Sequence, residues 1–111
     1  MITRRALAGL VVVLAVACGA AAVGARGTKH EITMRGNSFG PRRLEVARGD
    51  TIVWINRDIV RHDASAPGSF ESGDLRAGER FEWVPADTGL VRYRCTIHQR
   101  MRGEIRVIER E

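Results

Sequence analysis

Three side chains that bind soft metals recur at intervals of three near the C-terminus: Cys95, His98 and Met101, within Tyr93-Arg94-Cys95-Thr96-Ile97-His98-Gln99-Arg100-Met101-Arg102-Gly103. This spacing restricts the fold more than any other feature of the chain, because residues three apart on an extended strand point to opposite faces. Convergence requires the backbone to leave a strand at Cys95 and curl. Val91 and Tyr93 alternate with Arg92 and Arg94, and read as the end of that strand. A cysteine sulfur and an imidazole nitrogen suit soft or borderline metals, and a thioether favours copper over zinc. A copper site of the His2Cys type with a weak methionine needs one more imidazole. Only His30 and His62 remain to supply it.

Taken singly, Cys95 reads as a small buried hydrophobe, His98 as a surface residue and Met101 as a core filler. Their joint occurrence in a chain with 2 cysteines and 3 histidines points instead to a metal site. A catalytic Cys95–His98 pair would also need an oxyanion site and a residue to orient the base, and nothing in the sequence nominates either.

The first 25 residues have the layout of a secretory signal: Arg4 and Arg5, an apolar run from Ala6 to Ala17, then small residues through Ala25. The run is too short for a confident membrane span. Leu14-Ala15-Val16-Ala17-Cys18 resembles, in part, a lipoprotein box in which Cys18 becomes a lipid-modified first residue, whereas cleavage before Val23 or Arg26 would discard it. In either case the expected location is the periplasm or the outer face of the cytoplasmic membrane, with membrane contact only through that lipid. In an oxidising compartment an unpaired Cys95 calls for an explanation such as metal ligation.

The remainder, residues 28–111, has room for one small domain. Without Arg4 and Arg5 the 18 basic and 13 acidic residues leave +3, spread along the chain with few aromatics. That pattern suggests neither a nucleic-acid stripe nor a polybasic membrane patch. Short alternating segments broken by Gly, Pro and Asp predict an all-β fold. Ile32 and Met34 alternate in a first strand, Leu44 and Val46 in the next after the turn residues Asn37, Gly40 and Pro41, and Arg48-Gly49-Asp50 turns into the strongest strand, Thr51 to Asn56. Ile52, Trp54 and Asn56 share one face of it, so Asn56 is expected to point inward and bond a nearby turn or the loop that carries a ligand. His62 follows this strand and can meet the Cys95 loop, while His30, at the start of the first strand, is expected at the surface.

With these pieces in place the chain resembles the cupredoxins, the small blue-copper family, with a short ligand loop of the amicyanin type. The resemblance covers nearly everything after the signal and rests on Phe39-Gly40-Pro41, Gly49 to Arg57, His62, Phe70-Glu71-Ser72-Gly73, Tyr93 to His98, and Met101-Arg102-Gly103. It implies a Greek-key β-sandwich of seven to eight strands holding one copper ion, with His62, Cys95 and His98 as strong ligands and Met101 as the long axial one. It also places Asn56, Asp63, Thr96 and Ile97 around them. The implied role is a one-electron carrier rather than an enzyme, acting as a monomer between a redox donor and acceptor; the alternative is a copper storage or delivery protein.

The chain departs from the family pattern at Ile97 and Gln99, where such loops carry proline, at Arg100, where they carry an aromatic, and at Asp63, where Asn, Thr or Ser is usual. Ile97 restores an N–H that can donate to the Cys95 sulfur. Asp63 is expected either to lower the reduction potential through its charge or to be compensated by a neighbouring arginine such as Arg61.

Overall fold

A computed structural model describes residues 27–110; Cys18 and the expected signal, residues 1–25, lie outside the described residues. The alternating segments form nine strands: β1 Lys29–Arg35, β2 Ser38–Gly40, β3 Arg43–Ala47, β4 Thr51–Asn56, β5 Ser65–Ala66, β6 Phe70–Glu71, β7 Arg80–Trp83, β8 Gly89–Arg94 and β9 Arg102–Ile108. One sheet has the order β2-β1-β4-β7 and the other β3-β9-β8-β5-β6. The chain repeatedly crosses between the sheets, and that crossing lets two parallel pairs, β1 with β4 and β3 with β9, occur in a sandwich of otherwise antiparallel neighbours.

The count exceeds seven or eight because β5 and β6 are two residues each and because Ser38–Gly40, which lies among the turn residues Asn37, Gly40 and Pro41, pairs with β1. Phe39 lies opposite Met34 in that register, and both are buried. Burying this aromatic is what turns a turn-like sequence into a strand.

Between the sheets, Ile32, Met34, Ile52 and Trp54 meet Val46, Tyr93, Ile105 and Val107. Trp54 and Phe70 anchor an aromatic cluster, with the Trp54 ring centroid 4.8 Å from Phe70 and 5.4 Å from Tyr93, the latter edge-to-face at 85°. An aromatic ring of this kind removes about 200 Å² from water, on the order of 5 kcal/mol of transfer free energy before entropy is subtracted. β4 is buried from Ile52 to Asn56: Ile52 and Trp54 lie in the core between the sheets, and β1 and β7 cover both of its edges.

At one end of the sandwich Asp50, 3 % exposed, gathers both ends of the domain. It accepts from Thr28 N, Ala47 N and His30 Nε2 at 2.9–3.0 Å and is paired with Arg110. His30 is therefore not a free surface residue: its ring is about one-fifth exposed and held by a buried carboxylate. In the β1/β4 register His30 lies beside Ile52, whereas the C-terminal end of β4, at Asn56, leads toward His62.

Candidate metal centre

β4 ends at Asn56, whose fully buried side chain uses both its amide hydrogens and its carbonyl oxygen on the next segments. Its Nδ2 donates to Val60 O and Leu75 O, both at 2.8 Å, and its Oδ1 accepts from Asp58 N at 2.8 Å. The inward amide thus fastens the loop that leads to His62 to the segment containing Leu75. His62 N and O in turn bond Leu75 O and N at 3.1 and 2.7 Å. A buried amide without such partners would cost several kcal/mol, on the order of 2–7.

Asp58 continues the construction. Its carboxylate accepts from Gly36 N at 2.8 Å and Asn37 N at 3.1 Å, which ties the β1–β2 turn to the loop, and it meets His62 Nε2 at 2.6 Å. Burial by itself would raise the Asp58 carboxyl, but the Gly36 and Asn37 N–H groups and the His62 ring outweigh it and hold it below its ordinary value. A carboxylate at Nε2 places the ring proton there, which leaves the His62 Nδ1 lone pair free, the form a metal ligand requires. The sequence pattern did not single out Asp58, which holds the ring of a candidate ligand. The available signal was a carboxylate four residues before a candidate ligand.

The Cys95 loop closes on itself as its spacing demands. Cys95 N donates to Met101 O at 2.9 Å and Met101 N to His98 O at 3.0 Å, so the chain leaves β8, curls through His98 and rejoins the sheet in β9. Cys95 and Met101 are buried at 0 and 1 % exposure, and His98 is partly buried. Asp63 N–H reaches Cys95 Sγ at 3.4 Å. The Asp63 carboxylate accepts from Thr96 N at 2.6 Å and from the Thr96 hydroxyl, so Asp63 and Thr96 clamp the two ligand-bearing segments together. Arg61 pairs with Asp74 instead, at 3.2 Å, and does not compensate Asp63. Ile97 is 46 % exposed, and among the described residues the backbone N–H on the Cys95 sulfur is that of Asp63, not that of Ile97.

His62, Cys95 and His98 converge, with one ligand atom of each within 4.8 Å of the others. The two imidazole Nδ1 atoms stand 3.2 Å apart, and Cys95 Sγ is 3.9 Å from that of His62 and 3.7 Å from that of His98. A hydrogen bond between two rings would explain the first distance but not a sulfur nearly equidistant from both. Donors at about 2.0 Å (nitrogen) and 2.3 Å (sulfur) from one ion, subtending about 105–130°, stand about 3.2–3.6 Å apart for two nitrogens and about 3.4–3.9 Å for nitrogen and sulfur. The donor set therefore fits one ion, and its softness selects copper.

Solved structures share this fold. The chain is 33 % identical to a copper-containing nitrite reductase from Thermus scotoductus SA-01, with a TM-score of 0.69 over 78 % of this chain, and it spans about a quarter (24 %) of that enzyme's length. It is 29 % identical to a purple cupredoxin from Nitrosopumilus maritimus, with a TM-score of 0.68, covering 70 % of this chain and 98 % of that one. A reduced amicyanin variant shares the fold at 23 % identity and a TM-score of 0.67, covering 78 % of this chain and 88 % of that one. No protein-family model matches the chain.

Proposed function

This chain is a cupredoxin, and we propose that it is an exported carrier of single electrons that holds one copper ion between His62, Cys95 and His98, with Met101 as a weak fourth contact. The observation that carries this reading is one buried sulfur nearly equidistant from two imidazole nitrogens that are themselves 3.2 Å apart. When bound, copper supplies a one-electron couple between Cu(II) and Cu(I).

The chain's own residues contribute rigidity. Asp58 fixes the His62 ring, Asn56 fixes the loop before it, and the Asp63 N–H and the Cys95–Met101 backbone bond fix the cysteine. Donors held this firmly do not rearrange between oxidation states, and a small rearrangement means fast exchange. Burial of His62, Cys95 and Met101 keeps water from the donors, while the partly exposed His98 ring offers the edge through which an electron enters or leaves. Ile59, Val60 and Ile97, all exposed, lie in the two ligand-bearing segments and can desolvate a partner at that edge.

No catalytic residue is assigned in this reading, and the activity of the nitrite reductase is not carried over from a likeness to a quarter of its length. The working unit is residues 28–111 after a signal of residues 1–25, and mass spectrometry of the exported chain distinguishes a lipid-modified Cys18 from cleavage further on.

An absorption spectrum tests the centre directly. Oxidised, copper-loaded protein is expected to show an intense visible band from the copper–sulfur bond, absent in Cys95→Ser. Uptake of Cu(II) without a band, with Cys95 still open to alkylation, would refute it. Fast electron self-exchange separates a carrier from a protein that only stores or delivers copper.

A further inference from the structure

The outer face of the five-stranded sheet carries a recess of about 340 Å³ walled by Arg42, Arg43, Arg92, Arg94 and Arg102, with Glu104 among them. Charges that are spread along the sequence are gathered here by strand register. Glu104 stands between Arg43 on β3 and Arg92 on β8, with guanidinium–carboxylate distances of 3.2 and 3.9 Å. One carboxylate is thus shared by two guanidiniums, and among the described residues Arg42, Arg94 and Arg102 have no ion-pair partner. Arg94 and Arg102 lie directly opposite each other in the β8/β9 ladder, and like charges so placed destabilise a sheet. Elsewhere Lys29, Arg48 and Arg61 each have a carboxylate of their own, while Arg76 and Arg80 are also unpaired among the described residues, so what sets the recess apart is that three unpaired guanidiniums line one concavity.

Tyr93 and Gly103 contribute to the lining between these arginines, but the Tyr93 ring turns to the other side of the sheet, into the core, and lies so close to Gly103 that a Cβ there would be 2.5 Å from its hydroxyl. That hydroxyl has no hydrogen-bond partner among the described residues. Arg94 and Arg102 are each one residue from a member of the donor group, Cys95 and Met101.

From this we infer that the recess docks a protruding acidic segment of the redox protein with which the chain exchanges electrons, an inference that rests on the carrier reading above. Guanidinium forks match carboxylates bidentately, so side chains left without carboxylates in the monomer are suited to take them from a partner. A concave wall suits a protruding loop better than the plane of a membrane. No aromatic face is exposed in the recess for base stacking, which disfavours nucleic acid. The like-charge pair Arg94/Arg102, unfavourable in the free chain, becomes favourable when a carboxylate bridges it.

Fluorescence anisotropy of labelled hexaglutamate with the full copper-loaded chain tests this. Binding is expected at low ionic strength, falling steeply with added salt. Arg94→Gln/Arg102→Gln should weaken it about tenfold or more, while Arg76→Gln/Arg80→Gln, which removes the same charge from exposed sites outside the recess, should change it less than about threefold. Equal losses in the two variants would reduce the effect to net charge and overturn the docking site. So would tighter binding of an oligothymidylate or of phosphatidylglycerol vesicles with the same dependence on Arg94 and Arg102. Both variants remove repulsive or unpaired cations, so they should fold, and their melting curves verify it. The visible spectra of the same samples report separately on the copper centre, so a failure of the carrier reading is not mistaken for a failure of the docking surface.

Discussion

Replacing Asp63 by Asn should raise the reduction potential of the copper-loaded protein at pH 7 and leave copper binding intact. A carboxylate near the centre favours the more positive, oxidised state, and three observations decide how strongly. Asp63 is 7 % exposed, so water screens it weakly. Its backbone N–H touches Cys95 Sγ and its oxygens are bonded to Thr96, the residue after Cys95, so the charge lies close to the donors. Arg61, the cation that could have cancelled it, pairs with Asp74. At a separation of about 7 Å and an effective dielectric near 20, the interaction is about 2.4 kcal/mol, which is about 100 mV for one electron.

Asparagine keeps the shape. Its oxygen still accepts from Thr96 N, and the Thr96 hydroxyl can turn to accept from the new amide, so the backbone donor to sulfur stays in place. The expected shift is therefore positive, between some tens of millivolts and about 100 mV. Voltammetry of both proteins measures it, with the visible spectrum as a check that the donor set is unchanged. An unchanged or lowered potential with an intact spectrum would refute the reasoning and remove Asp63 as a tuning charge.

Asn56→Ala should destabilise the copper-free protein by roughly 2–4 kcal/mol, since it takes their partner from the Val60 carbonyl and the Asp58 N–H and removes one of the two donors to Leu75 O at a buried loop junction; a chemical-denaturation curve within about 0.5 kcal/mol of the parent would contradict this. Because the Asp58 carboxyl is held below its ordinary value, its contribution to stability is present above the unfolded carboxylate value near 3.8 and is lost as pH falls through the lower folded one. The gap in melting temperature between parent and Asp58→Asn should accordingly be full at pH 6 and shrink below pH 4, about where the unfolded carboxylate titrates. Tyr93, the one tyrosine of the chain, has its phenol pushed up by burial, opposed in part by the neighbouring Trp54 indole. Its phenolate absorbance should stay absent above pH 10, the ordinary tyrosine value, until the protein unfolds, and stability should decline as pH rises from there; a reversible titration of the folded protein near 10 would contradict the packing of that ring. Arg94→Gln should stabilise the fold by about 0.2–1 kcal/mol through relief of the Arg94/Arg102 opposition, measured by thermal melting.

The donors in the Cys95 loop were legible in the sequence because their spacing lies within one turn, and a turn is a local object whose geometry a few consecutive residues determine. The strands carrying Ile32, Trp54 and Ile105 were legible for a related reason: alternation reports which face is buried without saying against what. Asn56 was readable as inward because it continues the Ile52–Trp54 face. Its particular bonds, to Val60 and Leu75, depend on where the chain returns after the strand.

Everything that needed two distant segments to meet was decided by the tertiary structure. His62 and Cys95 are 33 residues apart, and the choice of His62 over His30 follows from which end of β4 each imidazole occupies. The Asp63–Thr96 clamp crosses the same gap, and the source of the N–H on the sulfur changed from the nearby Ile97 to the distant Asp63 because sandwich packing brings the two loops into contact. Arginines that look dispersed along the chain form one basic recess because parallel β3/β9 and antiparallel β8/β9 pairing align Arg43, Arg92, Arg94 and Arg102 on one solvent face. Local pattern carries the period of each strand but not its register with the next, and register is what turns separate side chains into a site.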